Sequence, residues 1–112
     1  MNRTHKFYSL VLIIIFFTLA VFAQTGGLPR IRKSENYKTV RVKMLKAGWK
    51  PFHSKEADKC YENDERCQGR PEMNHCAGTG LGNCEFLWKR KGKTVAIFTA
   101  GEETTYSGYE FQ

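Results

Sequence analysis

No two cysteines in this chain stand as C-x-x-C, and none lies outside residues 60–84. The first absence removes the local signature of a dithiol redox site. The gaps that are present between Cys60, Cys67, Cys76 and Cys84 hold six, eight and seven residues. None is the short spacing that zinc sites favour, so no metal ligand set is expected. Ser34, Ser54 and Ser107 lack the G-x-S-x-G setting of an activated serine. The acidic stretch "EADKCYENDERC" (56–67) has neither the glycine nor the closing glutamate of an EF-hand loop, and reads as a solvated acidic loop. "CAGTGLGNC" (76–84) has glycines but no lysine, and no helix after it, so a phosphate-cradling loop is excluded in favour of simple backbone bends. No cofactor is implied by any of these patterns. Acids are also scarce, 11 against 18 Lys and Arg.

What the chain does have begins at its first residues. Arg3 and Lys6 precede an almost wholly apolar run, Phe7 to Ala23, that ends in Val21-Phe22-Ala23. A basic head, an apolar stretch somewhat short of a bilayer span and small residues at its end are the order of a secretory signal peptide at 1–23. An uncleaved membrane anchor is the competing reading. No later stretch is apolar enough to cross a membrane, so no transmembrane domain is expected in the mature chain. Cleavage after Ala23 leaves 89 residues and lowers the formal charge from +7 to +5, because Arg3 and Lys6 are lost. Residues 24–33 read as a flexible lead-in and 34–112 as a single small domain with a thin core.

Export sends the thiols to an oxidising compartment, periplasmic or extracellular, where an even set of cysteines forms disulfides. Four cysteines allow three connectivities. Short loops close most readily, which favours Cys60–Cys67 with Cys76–Cys84.

The fold class expected is α+β. One helix, about 35–47, packs on a small antiparallel meander at 83–89, 93–99 and 104–111, with a disulfide-stapled loop region at 60–84. Ser34 is the expected cap, Tyr37, Val40, Met44 and Ala47 or Leu45 recur at helical spacing, and Gly48 and Pro51 end the helix. Val40, Val42 and Met44 also alternate as a strand would, but the cap and stop favour the helix. Lys91-Gly92 is a two-residue hairpin turn. Folding on it sets Trp88 opposite Val95 and Phe86 opposite Ile97 on one apolar face, with Lys89–Thr94, Leu87–Ala96 and Glu85–Phe98 on the other. In the third strand Tyr109 and Phe111 share a side.

Charge is concentrated. Residues 30–50 carry a net +7, residues 51–84 a net −2, and residues 85–112 are neutral. On a helix, Lys38, Arg41, Lys43 and Lys46, continued by Lys50, form a cationic face able to gather an anionic partner. Lys89-Arg90-Lys91-Gly92-Lys93 is a second basic spot. The residues favour a small exported, non-enzymatic protein of binding, envelope-associated or inhibitor type, whose partner is a protein or an anionic envelope component. The catalytic alternative is a small basic secreted hydrolase, nuclease-like, in which His53 and His75 supply acid–base chemistry and Lys55 or Lys59 holds phosphate. Nucleic acid enters as a partner only there. A cationic effector acting on membranes is a third class.

Overall fold

The structure is a computed structural model, which describes residues 27–112; the leader expected at 1–23 lies outside the described residues. Among the described residues a single helix, α1 (Tyr37–Lys46), packs on a sheet of β1 (Lys50–Pro51), β2 (Met73–Cys76), β3 (Cys84–Arg90), β4 (Lys93–Ala100) and β5 (Thr105–Phe111). All strand pairings are antiparallel, in the order β1-β3-β4-β5. β4 takes one edge of β3, and β1 and β2 divide the other, β1 facing Trp88 and Lys89, and β2 facing Cys84 to Phe86. Between them the Leu87 amide donates to Glu72 O and its carbonyl accepts from the Phe52 amide, so the shared edge is continuous.

The hairpin register is the one its side-chain alternation demands. Phe86 faces Ile97 and Trp88 faces Val95, and all four are fully buried. Lys91 and Gly92 both have positive φ, 49° and 76°, as a two-residue turn matched to the twist of its strands requires. β5 continues the helix-facing side with Tyr109 opposite Ile97 and Phe111 opposite Val95. The other face is also partly covered, since Leu87 and Ala96 are buried.

The helix differs from expectation at its start. Asn36, not Ser34, is the N-cap, and its side chain accepts from the Lys38 amide. Ser34 has φ 62° and gives its amide to Tyr106 O, so it serves the β5 edge instead. At the other end Ala47 closes the helix and Gly48 follows at φ 87°. The Trp49 amide donates to Met44 O and the Gly48 amide to Leu45 O, the paired bonds of a Schellman stop. Trp49 and Met44 are both buried, which supplies the hydrophobic contact that goes with this stop. Tyr37, Val40 and Met44 form the inward stripe; Val42 and Leu45 remain outside it. The segment before the helix is fastened at several points. Leu28 and Ile31 pack against the core, and Gly27 O accepts from Trp49 Nε1.

A buried polar knot ties the helix to the sheet. The Glu72 side chain is fully buried and accepts from Tyr37 Oη at 2.9 Å and Arg41 Nε at 2.6 Å. Trp88 Nε1 donates to the same Tyr37 oxygen, and the Tyr37 ring stacks on Phe86 with centroids 3.8 Å apart. Arg70 lies over the Tyr37 ring at 4.9 Å. Burial, then the Glu72 charge, hold the Tyr37 phenol well above the usual tyrosine range.

Both disulfides form, Cys60–Cys67 and Cys76–Cys84, and no described cysteine is free. The second joins directly paired residues of β2 and β3. β2 therefore occupies part of the region expected as stapled loop. Its four residues are too short, and interrupted by a bulge between Met73 and His75, to leave a clear alternation in the sequence.

Candidate functional site

The hairpin turn, the C-terminal end of α1 and β1 meet at one end of the molecule. Between them lies an open groove of about 550 Å³, lined by Lys46, Lys50, Lys89, Arg90 and Lys91 with Ala47, Gly48 and Gly92. Five cations line it and no acid does. Among the described residues, none of the five forms an ion pair. Strand pairing aggravates the imbalance, setting Lys50 opposite Lys89 and Arg90 opposite Lys93. Like charges directly opposite in a sheet are destabilising. Lys89 finds partial relief in the Phe52 ring, whose centroid lies 3.7 Å from its Nζ.

The five cations expected to act together are split by this geometry. Lys46 and Lys50 line the groove. Lys38 is exposed on the helix. Arg41 turns inward to Glu72, whose hydrogen bond raises the guanidinium's affinity for its proton. Lys43 pairs with Glu35 at 2.6 Å and donates to Arg30 O. Glu35 is lowered in turn, first by that Lys43 bond and then by the Arg32 amide. The groove residues that the helical reading left out are Lys89, Arg90 and Lys91. Their signal was present as a basic hairpin tip, but only the fold brings that tip beside the helix stop.

The two histidines sit elsewhere. His53 lines a groove of about 620 Å³ with Asp58, Lys59, Gln68, Arg70 and the Cys60–Cys67 disulfide. Its Nδ1 faces Pro71 O at 3.1 Å; a carbonyl only accepts, so Nδ1 carries the proton and Nε2 is left as the basic nitrogen. His75, on β2, is bonded through Nδ1 to Asp58, which joins it to the rim of the same groove. Both members of that pair are more than half exposed, so its effect on stability is small. Lys59 lines this groove and Lys55 does not.

The glycine segment 78–82 lines an open groove of about 540 Å³ that also holds Asp64, Glu65, Arg66 and Glu102. Arg66 Nη1 donates to Ala77 O at 2.8 Å and Gly82 O at 3.0 Å, while Asp64 holds the rest of its guanidinium. The arginine there is already held by two carbonyls and by Asp64, and three acids line the groove, which does not suit a phosphate. No group of three or more potential metal ligands occurs among the described residues, and no described helix is long and apolar enough to cross a membrane.

No family model, no curated protein and no solved structure matches the chain. The roles of its residues therefore rest on their own geometry.

Proposed function

We propose that this is an exported, disulfide-stapled binding protein that holds an anionic partner in the groove of Lys46, Lys50, Lys89, Arg90 and Lys91. One observation beyond composition supports export: both cysteine pairs are oxidised. The reading is carried by the two cross-strand pairs of like charge beside a groove that has no acid in its lining. Repulsion of this kind costs stability in the empty protein and is relieved when an anion enters. Stability given up at a surface is a common mark of a binding site. The role is non-enzymatic, of the envelope-associated or inhibitor kind, and is carried by a single small domain.

The experiment is titration of the processed chain with a heparin oligosaccharide, used as a generic polyanion, at low and at moderate salt. Binding should weaken steeply with salt, because each contact releases counterions. The Lys46→Gln/Lys50→Gln/Lys91→Gln variant should bind at least about tenfold more weakly, since each surface cation contributes about 1 kcal/mol near a dense anionic partner. Absence of binding at low salt, or equal binding by the variant, rejects the reading.

One observation favours a second reading. His53 and His75 each have Nδ1 fixed by an oxygen acceptor, which orients Nε2 as the free base, and Asp58 links both to one groove. In that reading the pair cleaves phosphodiesters with Lys59 holding the phosphate. RNA digestion that is abolished by His53→Ala or His75→Ala would establish it, and intact RNA after prolonged incubation would dismiss it.

A further inference from the structure

We propose that the cationic end is a docking face for a bilayer surface rich in anionic phospholipid. The inference rests on the groove being an anion site and names the class of partner it fits. Charge alone does not select a bilayer, but two neighbouring features do.

The first is apolar. Tyr109 and Phe111 on β5 are 48% and 40% exposed and meet edge to face at 5.8 Å. Phe111 also lies 6.4 Å from Trp49, which sits between the groove residues Gly48 and Lys50. Leu45, 46% exposed, precedes the groove residue Lys46 on the last turn of α1. Exposed aromatics and a leucine beside lysines and an arginine are the composition of an interfacial binding surface, where rings sit at the headgroup boundary and cations meet phosphate.

The second is the direction of the chain. Gly27, the first described residue, is fastened at this end. Its carbonyl accepts from Trp49 Nε1, and its α-carbon lies so close to the Arg90 guanidinium that an added Cβ would fall 1.8 Å from Nη1. Only Gln24, Thr25 and Gly26 separate Gly27 from the apolar run ending at Ala23. Four residue steps reach at most about 14 Å. The part of the chain suited to a membrane therefore joins the fold at its cationic end. Whether or not the leader is removed, this is the end that is presented to the bilayer as the chain leaves it.

The test is co-sedimentation of the chain beginning at Gln24 with vesicles of phosphatidylcholine alone and of phosphatidylcholine mixed with phosphatidylglycerol. This form retains every described residue, the whole core and both disulfides. It should sediment with the mixed vesicles and not with the neutral ones. The Lys46→Gln/Lys50→Gln/Lys91→Gln variant should bind the mixed vesicles on the order of 100-fold more weakly, about fivefold for each cation. A Tyr109→Ser/Phe111→Ser variant with an unchanged circular dichroism spectrum should lose about tenfold on vesicles, since half-exposed rings gain partial burial there. It should bind the heparin oligosaccharide as the parent does. Heparin binding without vesicle binding overturns the bilayer inference and leaves the anion-binding function standing. Loss of both overturns both, and vesicle binding unaffected by the aromatic variant overturns the placement of this end at the bilayer.

Discussion

Replacing Glu72 with Gln removes a charge from the centre of the knot that fastens the helix to the sheet, and changes almost nothing in shape. The carboxylate is fully buried, whereas the Arg41 side chain is 27% exposed. Oε1 accepts from Arg41 Nε at 2.6 Å and Tyr37 Oη at 2.9 Å, and Oε2 lies 3.4 Å from Arg41 Nη2. An amide keeps one acceptor for two strong donors and turns an NH₂ toward another donor. Hydrogen bonds to a charged group are worth about 1.5–3 kcal/mol and neutral ones about 1 kcal/mol. Breaking a fully buried ion pair costs about 3–5 kcal/mol, but Arg41 can regain some water here. The expected loss is therefore about 2–3 kcal/mol, or about 10–20 °C in melting temperature for a domain of this size. Urea unfolding followed by tryptophan fluorescence reads it directly, because Trp88 donates to Tyr37 within the knot. The midpoint should fall with an unchanged slope. In an Arg41→Gln/Glu72→Gln cycle the double variant should cost less than the two single losses together. A Glu72→Gln protein within about 0.5 kcal/mol of the parent would refute this assignment, since that is the scatter of ordinary surface changes.

Reduction of the disulfides should soften or unfold the protein. Sequence separations of 7 and 8 close loops for which chain entropy gives about 2.5 kcal/mol each, so a melting temperature indifferent to dithiothreitol would contradict the stapled fold. Alkaline stability should follow Tyr37. Its folded-state pKa is raised by burial and then by Glu72, so the unfolded chain ionises first, near pH 10. Stability is complete below that pH and declines as pH rises above it, and Tyr37→Phe, although less stable at neutral pH, should show a shallower decline between pH 10 and 11. Acid should act oppositely through Asp64, lowered chiefly by its Arg66 hydrogen bond. That contribution is present above the ordinary carboxylate range and lost as pH falls through and below it, and Asp64→Asn should flatten this part of an acid titration.

Legibility in the sequence followed the range of the interactions. The hairpin was readable because alternation of period two and a Lys-Gly turn both act within a few residues, and its register is the observed one. The stripe of Tyr37, Val40 and Met44 and the Gly48 stop were readable for the same reason. The N-cap was misplaced because Ser34 and Asn36 both suit the role; the pairing of 34–36 with Thr105 and Tyr106 assigns them. Arg41 was expected on the cationic outer face of the helix, and Glu72 entered only in the net charge of residues 51–84. Nothing local marks either one, and their meeting across 31 positions depends on the helix lying over β2 and β3. The cationic groove is of the same kind. Its two halves are plain in the sequence as a basic helix end and a basic turn, but their convergence is a property of the topology.

The single variant Lys50→Gln separates a binding groove from a merely basic surface. Its melting temperature should be compared with that of the parent at low salt, without and with heparin oligosaccharide. Removing one member of the Lys50–Lys89 repulsion should raise the melting temperature of the free protein, by up to about 1 kcal/mol of added stability, and shrink the increase that the polyanion produces. A free protein no more stable than the parent, together with an undiminished response to the polyanion, would contradict a groove held cationic for binding.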